Sequence, residues 1–173
     1  MLEELSQTAG TRTVGQNLFS GDGKVERMLK ITDQEKAVIQ TAWKGTQQKL
    51  RDLEARSMTS VADDDGAVTI TVPDLSASTG EIGAGFSSEV RKSLGENRSD
   101  IFLAVKQVDR MFSPEAGEQT YKVEPKPTGD GGWRFHMTLE SPGGRRVWVS
   151  ETIPDEISHL TDVAQIRRSL SEE

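Results

Sequence analysis

His136 and His159 are the only imidazoles in this 173-residue chain, and it contains no cysteine. Thiolate metal sites, iron–sulfur clusters, disulfide frameworks and thiol nucleophiles are thereby excluded. The two histidines stand 23 positions apart, which matches no ligand spacing of the H-E-x-x-H kind. His136 falls on the polar side of an alternating segment and His159 lies beside Leu160, so neither is placed as a general base. A serine nucleophile requires a G-x-S-x-G elbow and a phosphate-cradling loop requires the Walker A pattern; the chain has neither. No catalytic residue, metal or cofactor is therefore assigned. The alternative to a binding protein is a hydrolase whose acids, drawn from 28 Asp and Glu, assemble only in the fold.

Two further patterns invite chemistry and fail on spacing. In Asp63-Asp64-Asp65-Gly66 the glycine would have to be sixth in a calcium loop, which puts Val61 first and Val72 twelfth, where acids belong. The run reads instead as a turn into a strand. Gly80, Gly83 and Gly85 are spaced G-x-x-G-x-G, the reverse of a dinucleotide fingerprint, and are expected to ease entry into a helix. Asn97-Arg98-Ser99 is formally a glycosylation sequon, and a helix-capping role for Ser99 accounts for it more simply.

The elements that would position any site show two periods. Thr32-Asp33-Gln34-Glu35 is a capping box, and Ile39, Trp43, Thr46, Leu50 and Leu53 recur in steps of four and three, predicting a helix from Thr32 to about Arg56. Its stripe suits core packing or a two-helix seam with a second copy. A second helix carries Ile82, Phe86, Val90 and Leu94 and ends at Gly95 in a left-handed cap. A third, capped by Ser99, presents Ile101, Phe102, Val105, Val108 and Phe112 as a buried stripe before Pro114.

The period changes to two at Val68, Ile70 and Val72, again at Tyr121 and Val123, and most clearly at Trp133, Phe135, Met137 and Leu139. Residues 125–132 read as a loop. Ser141-Pro142-Gly143-Gly144 turns the chain into an arm from Arg145 to Thr152, whose register is open at this stage. If paired residue numbers sum to 286, Val147 and Val149 face the core and Trp148 stands outward beside His136. If they sum to 285, as a two-residue Pro-Gly turn gives, Trp148 is core. The first register is carried forward, and it makes Trp148, Arg134, His136 and Arg146 one candidate aromatic and basic contact patch, for which cover of Trp148 by the chain's own tail is an equal explanation. A short turn of helix is expected from Asp155 to Leu160, with a last helix carrying Val163, Ile166 and Leu170.

Leu, Ile, Val and Phe make up about 22% of the chain, just above the roughly 20% at which a packed core becomes doubtful. The expected architecture is α+β, with about three helices on one face of a four-stranded, mostly antiparallel sheet and a C-terminal hairpin. The domain is expected to span 29–168, between an N-terminal tail over 1–28, in which Leu18 and Phe19 are incidental, and a disordered end over 169–173. A net charge of −7 opposes nucleic-acid binding, and no apolar run is long enough for membrane insertion. The opening MLEELSQTAG lacks the regions of a signal peptide, while a leader upstream of Met1 would place the domain outside the cytoplasm, so compartment is left open. The expected function is non-catalytic: a binding, sensory or scaffold domain working through protein–protein contacts, with self-association through the Thr32–Arg56 helix as one form.

Overall fold

The computed structural model describes residues 18–19, 23–63, 66–112 and 117–161. Among them the elements are α1 (Lys24–Met28), α2 (Asp33–Ser57), β1 (Thr59–Ala62), β2 (Val68–Val72), α3 (Ser76–Leu94), α4 (Glu96–Val105), α5 (Val108–Met111), β3 (Gln119–Pro127), β4 (Trp133–Ser141), β5 (Gly144–Ser150) and α6 (Asp155–Ser158). The protein is α+β: helices and one antiparallel sheet in the order β1-β2-β3-β4-β5. The strand beyond the four expected is β1. All four of its residues are exposed, so no apolar alternation marks it in the sequence. No described helix is long and apolar enough to cross a membrane.

The chain divides into two compact units. The helical unit comprises the described residues up to Asp52 together with 76–112. The capping box forms as expected: the Thr32 amide donates to Glu35 Oε2 at 2.8 Å and the Glu35 amide donates to Thr32 Oγ1 at 3.2 Å. The stripe of α2 is spent within this unit, where Ile39, Trp43, Thr46 and Leu50 are buried. The Trp43 ring meets Phe86 and Phe112 edge-on, with centroids 5.1 and 6.1 Å away. Gly83 lies inside α3, which starts at Ser76 and holds all three glycines in its body. A Cβ at Gly83 would stand 2.6 Å from Phe112 Cγ, so the helix needs hydrogen there for the aromatic to seat.

Two corrections follow from backbone breaks. Gly95 takes φ 72° with ψ 163°, outside the left-handed helical region expected of it, and α4 begins directly after it; Ser99 is a buried residue within α4 whose hydroxyl donates to the Glu96 carbonyl at 2.7 Å. Gln107, at φ 51°, breaks the third helix. Val108 and Phe112 are thereby rotated out of phase with Ile101 and Val105, which are 45% and 49% exposed, while Phe102, Val108 and Phe112 are buried. Leu18 and Phe19 are also buried and therefore not incidental. The Phe19 ring lies 5.7 Å from Phe102 and beneath the ammonium groups of Lys36 and Lys106.

Arg98 ties this unit together. Its Nε donates to the Leu94 carbonyl at 3.0 Å, one terminal nitrogen donates to the carbonyls of Leu29 and Lys30, and the other pairs with Glu35. Lys30, in the left-handed conformation, ends α1 in a Schellman turn, the Ile31 amide donating to Glu26 and the Lys30 amide to Arg27.

The sheet unit comprises 53–63, 66–75 and 117–161. Val68, Ile70, Val72, Tyr121, Val123, Met137 and Leu139 line one face and are buried with Ile157 and Leu160, which the expected turn α6 brings in. The segment 125–127, read above as loop, is strand: Pro125 pairs with Phe135 and Pro127 with Trp133. The tolerance of proline there is a matter of sides. Residues 119, 121, 123, 125 and 127 direct their backbone groups away from β4, and β2 ends at the Val68↔Val123 pair, so Pro125 and Pro127 lack a donor where no acceptor strand lies among the described residues. The expected last helix over 163–170 lies outside the described residues.

Arg98 hydrogen bonding, before all else, holds the Glu35 carboxyl at about 2, well under the ordinary glutamate range near 4.3. A carboxylate whose folded pKa is depressed stabilises the fold above its unfolded pKa and loses that contribution as pH falls through the folded one. Glu35→Gln is expected to destabilise the protein at pH 7, with the gap from the parent closing between about pH 5 and pH 2. Urea melts at a series of pH values measure this, and a gap that stays constant over the range contradicts it.

Candidate functional site

The site expected from sequence depends on the register of the β4–β5 hairpin. Ser141 pairs with Gly144, Leu139 with Arg146, Met137 with Trp148 and Phe135 with Ser150, so paired numbers sum to 285. This overturns the register carried forward. Pro142 cannot adopt the positive φ of the primed turns that suit two-residue hairpins, and Gly144, at φ 122°, absorbs the mismatch.

One step of register moves every side chain to the other face. Trp148 packs on the buried side with Met137, and Arg146 shares that side with Leu139. Arg134 and His136 are exposed on the opposite, outward side. The four residues therefore do not form one patch: the hairpin puts two on each face. What stands outward instead are Val147 and Val149, 62% and 50% exposed.

The outward face is built row by row. Val61, Thr69, Lys122, Thr138 and Val147 are successive partners across all five strands, and Glu124, His136 and Val149 across three. Its charges pair within the face, Lys122 with Glu124 at 3.0 Å and Arg145 with Glu140 at 3.7 Å. At the loop between β3 and β4, hydrogen bonds from the Thr128 hydroxyl and then the Gly132 amide hold the Asp130 carboxyl below its ordinary range. This fixes a loop that composition alone suggests is loose.

Sequence reading missed one buried acid. Glu54 lies four residues after Leu50 along the stripe of α2 and is only 5% exposed, and His159 Nε2 is hydrogen-bonded to its Oε2 at 2.8 Å. His159 thus braces the α6 turn against the end of α2, and its Nδ1 is buried without a hydrogen-bond partner among the described residues. The signal was available: a carboxylate in phase with Trp43 and Leu50 must be either solvated at a helix end or paired. No group of three or more potential metal-ligating side chains occurs among the described residues. Comparison with protein-family models, with curated proteins and with solved structures returns no match for the chain.

Trp148→Ala is expected to cost about 3 kcal/mol of stability, whereas Val147→Ala and Val149→Ala each stay within about 0.5 kcal/mol. Denaturant melts of the three variants measure this. A Trp148 variant as stable as the parent, with a destabilised Val147 variant, would point to the other register.

Proposed function

We propose that the chain is a non-catalytic binding domain acting through protein–protein contacts, and that its contact surface is the outward side of the β4–β5 hairpin. The observation that carries this reading is the pair Val147 and Val149, exposed on a strand that has no neighbour beyond it among the described residues. Natural sheets guard such strands with charged residues, proline or a bulge; β5 carries charge only at its start, in Arg145 and Arg146, its remaining residues Val147 to Ser150 are uncharged and without proline, and the pairing runs without interruption from Ser141↔Gly144 to Phe135↔Ser150. Apolar side chains beside unpaired backbone groups form the surface that strand addition uses.

The catalytic alternative finds its one support in the Glu54–His159 pair, since a carboxylate that orients an imidazole is part of many general-base arrangements. Access argues against it: Nε2 is engaged by the carboxylate and Nδ1 is shielded from solvent, leaving neither ring nitrogen for a substrate proton. As a brace, the pair should respond to substitution through stability. Glu54→Gln is expected to destabilise the protein by about 3 kcal/mol, measured by thermal melts. A variant with undiminished stability would favour the catalytic alternative.

A photo-crosslinking amino acid at position 147 tests the contact surface in cells producing the chain. Discrete adducts are expected from position 147, lost when Val149 is changed to Lys, and not formed from the exposed Ser78 of α3. Equal labelling from 147 and 78 would overturn the reading.

A further inference from the structure

The edge of β5, which has no neighbouring strand among the described residues, is complementary to itself, and from this we infer that the partner is a second copy of the chain, joined across a two-fold axis by antiparallel β5–β5 pairing. The inference rests on the contact-surface reading above. The turn dictates which backbone groups are available. Ser141↔Gly144 closes a two-residue hairpin and is a hydrogen-bonded pair, so Arg146, Trp148 and Ser150 exchange bonds with β4. Arg145, Val147 and Val149 therefore direct their N–H and C=O groups away from the sheet. Two such edges dock only in registers that set odd-numbered residues against odd-numbered residues.

Side chains choose among those registers. Going outward from Arg145, every second residue is Val147, Val149 and, one residue past the end of β5, Glu151, which reads basic, apolar, apolar, acidic. Run antiparallel against itself so that paired numbers sum to 296, this series sets Arg145 against Glu151 and Val147 against Val149, each twice, with Trp148 facing its own copy at the axis. The neighbouring register, at 294, sets Arg145 against Val149 and leaves Glu151 without an opposite charge. Arg145 already holds Glu140 across the hairpin, so the dimer register places it between two carboxylates. Glu151, Val147 and Val149 are all exposed in the single chain. The product is one continuous sheet of twice five strands, an isologous interface of the kind two-fold symmetry requires. The opposite edge offers no such match: β1 has only four residues and runs into Asp63-Asp64-Asp65.

The absence of native cysteine permits a clean test of register. Val147→Cys and Val149→Cys are made separately, on chains of different tag length, and oxidised alone and mixed. A mixed disulfide is expected only in the mixture, because directly opposed residues have Cα atoms about 5.5 Å apart, within disulfide range. Like positions are offset by two residues and lie beyond about 7 Å. Sedimentation equilibrium of the untagged parent is expected to show a monomer–dimer equilibrium at or below about 100 μM. Arg145→Glu or Glu151→Arg should weaken that equilibrium at least about tenfold, and the double exchange should restore it.

A chain that is monomeric at about 200 μM, or one that forms disulfides between like positions as readily as mixed ones, overturns the inference. Its failure is separable from that of the contact-surface reading. If the adduct captured from position 147 has the mass of the chain plus a different protein, the two-fold dimer falls and the surface stands. If no adduct forms, both fall.

Discussion

The two-residue connection between β4 and β5 is the constraint on which the sheet unit depends. Proline at 142 and glycine at 143 leave room for only one closing pair, Ser141 with Gly144, and every later pair is counted from it. That count decides that Trp148, half-buried, packs against the core on the side of Met137, that the valines on either side of it meet solvent, and which backbone groups of β5 point outward. Continued through β4 into β3, the same alternation carries the vacant side of Pro125 and Pro127 past the end of β2. A one-residue insertion in the turn would exchange the two faces of the strand that follows.

Elements with an unmixed period were legible from the residues. The capping box and stripe of α2, the alternation of Val68, Ile70 and Val72, and the run from Trp133 to Leu139 all appear where spacing puts them. Legibility fails where spacing is interrupted by one backbone angle or where both faces are wet. Gln107 carries no signal of its own φ, so Ile101 and Val105 share a helical spacing with Val108 and Phe112 that holds in the sequence until the break after Val105 separates the two pairs. Thr59–Ala62 has no buried face, and nothing in its composition distinguishes it from a loop. The contact patch failed for a third reason: Val147-Trp148-Val149 is apolar on both faces, so its register is set by the turn and not by its own pattern.

A chain with so little Leu, Ile, Val and Phe supports two small cores, and polar groups close them. In the helical unit the guanidinium of Arg98 satisfies carbonyls at the ends of two helices and the carboxylate of a third, and the Lys106–Glu26 pair, 3.4 Å apart and mostly shielded, lies beside the docked Phe19. Charge-assisted bonds to backbone of this kind are stronger than neutral ones and fix geometry as well as energy. In the sheet unit the Tyr121 hydroxyl donates to Gln119 and the Glu54–His159 pair does comparable work, each within a buried setting.

The sheet is assembled from parts that are far apart along the chain. Val72 pairs with Gln119, and α3, α4 and α5 all lie between them in sequence. Bringing β2 to β3 closes a loop of more than forty residues, at an entropic cost on the order of 3 kcal/mol, whereas the meander from β3 to β5 needs only short turns. On a ribosome, the helices between Ser76 and Met111 emerge before the third strand exists. A pause ahead of Gln119 would leave a two-stranded ribbon with one bare side, and only release of the remaining residues supplies the template that completes it.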